Sequence, residues 1–361
     1  MQQQALALSH SQQVTVIAPE FARLTGVLRR GCAADAEETG AVYRPRCWYV
    51  RGIWWLFYLV TSFWCSRRIE WDSVDLVHAH WSIPSGFTAA LLSRWYNKPF
   101  VLTEHAGQFD TLVKPLARRR AVHWTLKQAQ RILVVSHALQ RSIEGVGVSG
   151  NFVVIPNIVD PEIFFPLERQ GHGLEGAMHL LWVGSFNSHL NKGVPELLEA
   201  VALARGRLVE GFRLSLAGDG AARQEMEATA RQLRIDDICD FLGALPHVDV
   251  RDQMQQCDGL ILSSLRESFG VVLIEAMACG KPVVATRCGG PEEIVTPEVG
   301  ILVEPGSAQS LADGILQLHG TYESFDPTRI AAYAHLRFAP ERVTNLLLNV
   351  YAEVLGNPRG F

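Results

Sequence analysis

The sequence predicts an α/β protein built from two doubly wound domains, and three observations lead there. Short β-branched or apolar runs alternate with longer helical stretches along the whole chain, the pattern of parallel sheets with crossover helices. The length, 361 residues, exceeds what one ordinary core fills and suits two domains of roughly 150 to 200 residues. A polar, glycine-rich stretch from Glu168 to Ala177 separates two such series of strands, as a linker would.

The first series of predicted strands is Val14–Ala18, Leu76–His80, Phe100–His105, Arg131–Ser136 and Phe152–Asn157. The second opens with His179–Gly184 and continues through Phe212–Gly218, Asp240–Gly243, Gly259–Ser264, Pro282–Thr286 and Gly300–Val303. Helix formers fill Pro195–Ala204 and Val271–Ala278, the latter stopping at Gly280. The last helix, Glu341–Leu355, is expected to return to the first domain and make it discontinuous. The domains are then 1–163 plus 340–361, and 164–339. Met1–Gln13 reads as the end of a helix, so the first strand of the N-terminal domain and its glycine-rich turn look missing. A start placed too late, a truncated product, or another segment filling the gap would each account for that.

Composition narrows the function. A chain 48% hydrophobic and 19% charged has the means to bury a core and is not disordered. Seven cysteines without a C-x-x-C pair predict a reducing compartment and neither zinc nor a disulfide framework. The start lacks a basic n-region and a long apolar h-region, so a cytoplasmic protein is expected. Residues 1–160 carry 17 Lys+Arg against 11 Asp+Glu, and the remainder 16 against 26. A basic first half facing an anionic partner is one reading; ordinary solvated surface is the other. No nucleic acid is expected. Tyr43–Arg68 is aromatic and arginine-rich, but its uninterrupted apolar part, Ile53–Phe63, is well short of the ~20 residues that span a bilayer. It suits a core helix or an interfacial helix on an anionic membrane surface. Lys114–Arg120 is either a solvated loop or more of that basic surface.

The chemistry concentrates in R-E-S-F-G-V-V-L-I-E-A-M-A-C-G-K-P-V-V-A-T, Arg266–Thr286. Its Ser-Phe-Gly turn lies between the carboxyl end of a buried strand and the start of a helix, where open α/β sheets bind ligands. Free N–H groups at Gly270, Val271 and Val272, with the helix dipole, make an anion site suited to a diphosphate. Glu275, one turn into the helix, can accept two hydrogen bonds from a ribose diol. Glu267, still in the loop, would meet whatever hangs from the phosphates. In W-V-G-S-F-N-S-H-L-N-K-G-V, Trp182–Val194, Lys192 stands between a strand end and a helix start and can clamp a diphosphate as a point charge.

Together these residues resemble the retaining GT-B glycosyltransferases of the glycosyl transferases group 1 family, of the kind found in bacterial surface-polysaccharide assembly. The matching pieces are E-S-F-G-V-V-L-I-E-A-M-A-C-G-K-P-V-V-A-T, C-G-G-P-E-E-I-V, G-I-L-V-E-P-G, L-A-G-D-G, G-S-F…N-K-G and V-V-I-P-N-I-V-D. The first half adds D-L-V-H-A-H-W, F-V-L-T-E-H and I-L-V-V-S. The resemblance implies two Rossmann-like domains facing across a cleft and transfer of a sugar from a nucleotide-diphosphate sugar, with no other cofactor and no metal. It assigns Glu275 to the donor ribose and Glu267 to the donor sugar. Phe269, Gly270 and Val271 line the diphosphate with backbone groups, Lys192 neutralises it, and Gly184 and Ser185 belong to the same donor loop. Ser185 stands where many relatives carry an arginine. Gly243–Leu245 lies against the base, and His105 matches the histidine that faces the donor sugar. The acceptor implied is a glycan or lipid-linked glycan. His78 and His80 share a strand face and read as packing residues before a zinc pair. Two rival functions stand beside this one: a truncated, impaired homologue, and a nucleotide-sugar epimerase or hydrolase on the same fold.

Overall fold

A computed structural model describes residues 8, 12–17, 20–22, 33–37, 40–44, 46–48, 54–167, 177–188, 190–207 and 211–356. The expected linker, apart from Ala177, and most of the expected N-terminal helix end lie outside the described residues. The chain divides into two compact units, Met1–Ile158 with Pro340–Phe361, and Val159–Ala339. Residues 159–163, read from sequence with the first domain, fall in the second unit.

The first unit is built on a four-stranded parallel sheet in the order Val77–His80, Phe100–Glu104, Arg131–Val134, Phe152–Val154. Phe100–Glu104 is buried along its whole length, as a strand covered on both faces must be. Val101 and Leu133 join Ile155, Ile158, Val343, Leu347 and Val350 in one apolar cluster. The helix Pro340–Val354 thereby closes the sheet that the first part of the chain began.

The predicted strand near Val14 reduces to Val16–Ile17, which pairs with Gly40–Arg44 and not with the four-stranded sheet. Gly40–Arg44 also pairs antiparallel with Ala33–Glu37, and Glu20–Ala22 pairs with Arg46–Trp48. Ile53–Phe63 falls largely within the helix Trp54–Ser66. Lys114–Arg120 is not a loop: Pro115 caps a helix over Leu116–Gln128.

The second unit holds six parallel strands, ordered Cys239–Gly243, Phe212–Ala217, Met178–Val183, Gly259–Leu262, Val283–Thr286, Gly300–Val303. In chain order that is 3-2-1-4-5-6, the doubly wound arrangement. Gly259–Leu262 and Val283–Thr286 are buried throughout, which explains their almost wholly apolar sequences.

Candidate functional site

Strand order reverses between Met178–Val183 and Gly259–Leu262. The loops leaving the carboxyl ends of those two strands flank the switch point, which is where such sheets bind ligands. One loop is Gly184–Gly193 and the other Ser263–Gly270, so both loops singled out in the sequence flank this point.

The loops are fastened together. Leu265 N donates to Asn191 O at 2.7 Å, Ser263 Oγ to Lys192 O at 2.7 Å, and Asn191 Nδ2 to Arg266 O at 3.3 Å. Gly193 has φ of 62°, and a Cβ there would lie 2.0 Å from Ser263 O, so only glycine permits the approach. Against this frame Lys192 Nζ meets Glu267 Oε2 at 2.6 Å, with both side chains partly buried. The backbone of Glu267 is held on its other side: its N–H donates to Cys288 O at 3.1 Å, and Gly290 N donates to its carbonyl at 2.8 Å.

Phe269 turns its ring inward, edge-on to Phe338 at 5.8 Å between centroids, leaving its backbone at the turn. Gly270, at φ 95°, reverses the chain into the helix Val271–Ala278. The first-turn amides of Val271 and Val272 have no intrahelical acceptor, and they carry the positive end of the helix dipole. Glu275 is buried one turn further and accepts a hydrogen bond from His247 Nε2 at 3.2 Å. That hydrogen bond holds the exposed His247 imidazole above its ordinary pKa. Gly184 donates to Ala217 O at 3.0 Å, Ser185 is exposed, and Leu245 is half-buried just beyond the strand Cys239–Gly243. Lys192, Glu267 and the Phe269–Glu275 helix start are thus brought to one switch point. His247 was not singled out from the sequence. A histidine opening a helix just past a strand end was the available signal, and it reads equally as surface.

His105 lies in the first unit, at the end of Phe100–Glu104. Its Nε2 is 2.9 Å from His80 Nδ1, so one of the two rings donates to the other. His80 stacks on His78, whose ring nitrogens meet Tyr351 Oη and Thr103 Oγ1, each at 2.6 Å. With both nitrogens engaged, His78 is a packing residue, and neither is left for a metal. Burial depresses all three imidazoles, His78 to about 3 and His105 to about 4, so all are neutral at physiological pH. Beneath them the buried Glu104 accepts from Ser82 N at 2.9 Å, His105 N at 2.8 Å and Ala106 N at 3.0 Å. That carboxylate fixes the backbone on which His105 stands.

Comparison with known proteins agrees with this architecture. Residues 165–329 match the family model "Glycosyl transferases group 1", and residues 4–163 match "Glycosyltransferase Family 4". An uncharacterized glycosyltransferase of Methanocaldococcus jannaschii is 30% identical over 263 residues, covering 72% of this chain and 70% of that protein. Among solved structures, a sucrose-phosphate synthase from Thermosynechococcus elongatus superposes with a TM-score of 0.83 at 20% identity, over 98% of this chain and 92% of that one. The Anabaena protein HepE in complex with UDP-glucose gives 0.68 at 22% identity, over 86% of each chain. The chain therefore belongs to the GT-B glycosyltransferases, with a group 1 domain following a Family 4 domain.

Proposed function

We propose that the protein is a retaining, metal-independent glycosyltransferase that moves a sugar from a nucleotide-diphosphate sugar to a hydroxyl of a lipid-linked glycan in cell-surface polysaccharide assembly. One observation carries the reading: at the switch point the ammonium of Lys192 meets the carboxylate of Glu267, which stands in the loop that leads into the N-terminus of the helix Val271–Ala278. A diphosphate seated on the amides of Gly270, Val271 and Val272 takes Lys192 as its counter-charge, which is what a departing nucleoside diphosphate requires where no cation is used. Glu275 accepts the ribose hydroxyls, and Leu245 lies against the base. Gly184 and Ser185 complete the donor loop.

The acceptor hydroxyl attacks the anomeric carbon on the face from which the diphosphate leaves. The bond from that carbon to the phosphate oxygen breaks as the new glycosidic bond forms, and the acceptor proton passes to the departing phosphate oxygen. Glu267 holds the sugar in the meantime. His105, kept neutral by burial and tied to His80, suits a hydrogen bond to a sugar hydroxyl and not a charge-stabilising role. The basic first half of the chain favours an acceptor carrying phosphate. HepE with UDP-glucose makes UDP-sugars the first donors to try.

A thermal-shift screen against UDP-, GDP- and ADP-sugars tests the donor, since a ligand bound only to the native state raises apparent stability. Product analysis with a labelled donor then tests the reaction. Transfer with the α or β configuration retained is expected. Inverted product, free sugar alone or an isomerised donor would refute it.

A further inference from the structure

The helix Trp54–Ser66 is apolar on its outward side as well as its inward one. Its buried positions are Tyr58, Ser62, Cys65 and Ser66, while Trp55, Leu56, Val60 and Trp64 are 50, 44, 56 and 51% exposed. Leu56, Val60 and Trp64 recur every fourth residue and form one outward stripe. Ordinary surface helices put such residues inward. At the end of the stripe Arg67 and Arg68 are exposed, and the Arg68 guanidinium sits 4.7 Å over the Trp64 ring.

The neighbouring helices extend the pattern. Phe63 meets Trp95 edge-on at 5.9 Å, and Trp95, on the helix Phe87–Tyr96, is 73% exposed beside Arg94. Phe87 packs in turn on Trp124 at 5.1 Å, in the helix Leu116–Gln128. That helix exposes Leu116, Arg118, Arg119, Arg120 and Lys127. None of the three helices contains an aspartate or glutamate; the acids between them in sequence are Glu70, Asp72 and Asp75, after the first helix, and Glu104 and Asp110, before the third.

We propose that the stripe Leu56, Val60 and Trp64, with its basic flank, docks on an anionic lipid bilayer. Tryptophan and arginine together suit the headgroup boundary, and the basic, acid-free helix Leu116–Gln128 suits a negative surface. The helix has 13 residues, about 20 Å at 1.5 Å per residue, and would lie in the plane of the interface. Among the described residues no helix is long and apolar enough to cross a membrane. A second copy of the chain is the poorer occupant, because it would set like charges against one another.

Flotation with phosphatidylcholine vesicles, with and without phosphatidylglycerol, tests the face. It is run without donor, so its failure leaves the transfer reaction standing. Enrichment on the phosphatidylglycerol vesicles is expected, fading as salt rises. Val60→Asp should weaken it roughly tenfold, because a charge then replaces apolar contact at the interface. Its thermal midpoint should not move, since Val60 is exposed. The double change Arg67→Glu/Arg68→Glu should remove the preference for phosphatidylglycerol. Equal binding to both vesicles, binding unchanged by Val60→Asp, or a dimer in place of vesicle binding would each overturn the proposal.

Discussion

Replacing Glu275 by alanine isolates the ribose half of the proposed site. The carboxylate is buried, lies one helical turn beyond Gly270, and has the exposed His247 as its hydrogen-bonded partner at 3.2 Å. A ribose diol would donate two hydrogen bonds to it, and bonds to a charged group contribute about 1.5–3 kcal/mol each. Water and His247 compete for the same oxygens in the empty enzyme, so a net loss of about 2–4 kcal/mol is expected, roughly 30- to 1,000-fold in Kd. Stability should move little, because the contact with an exposed imidazole contributes only about 0–1 kcal/mol. Ribose contacts are made equally in ground and transition states, so KM should rise while kcat holds. Isothermal titration with UDP, or with whichever donor the thermal screen selects, and steady-state kinetics read both quantities. A Kd close to that of the parent, or a fall in kcat at constant Kd, would refute the assignment of this residue.

Glu267→Gln should do the opposite: kcat falls by about 100-fold or more, while nucleotide binding holds or tightens because Lys192 loses its competitor. Parent-like turnover in that variant would remove Glu267 from the reaction. The raised pKa of His247 means that its contact with Glu275 stabilises the fold fully below the ordinary imidazole value of 6.5 and is lost as pH rises through the folded value. His247 is exposed, so the effect is under about 1 kcal/mol; His247→Ala should flatten stability against pH on the alkaline side, and an unaltered slope in urea titrations would contradict the contact. The buried His78, His80 and His105 carry the reverse sign, since their folded values lie below 6.5. Stability should therefore fall as pH drops from 6.5 towards those values, and nitrogen NMR should show His105 neutral down to about 4. A His105 resonance titrating near 6.5 would overturn the description of that pocket.

The second unit was legible almost strand by strand, because parallel strands covered on both faces are written as unbroken apolar runs and glycines mark their ends. The helix Val271–Ala278 could be placed to the residue for the same reason: Gly270 and Gly280 bracket a run of good formers. The Lys192–Glu267 contact could not be read, since its partners stand 75 residues apart and meet only because strand order reverses between their loops. Tyr351 on His78 is further still from local pattern, 273 residues away and brought back by the last helix. The small strands before the helix Trp54–Ser66 were missed because A-A-D-A-E, Ala33–Glu37, contains no β-branched residue to announce a strand. Lys114–Arg120 read as loop or basic surface because charge masked a helix that Pro115 opens.

The double anchoring of Glu267 bears on the sequence of events at the site. Its backbone is fixed by Cys288 and Gly290, while Lys192 holds the side chain. On the proposed reading an arriving diphosphate competes with Glu267 for a single ammonium, so the carboxylate is a placeholder counter-ion until phosphate takes over. The exchange needs only side-chain torsions, because the backbone of Glu267 is already fixed. Glu267 then becomes free for the sugar only after the phosphates have docked. Phosphate first and sugar second would make occupancy of the diphosphate site the condition for grasping the group that moves.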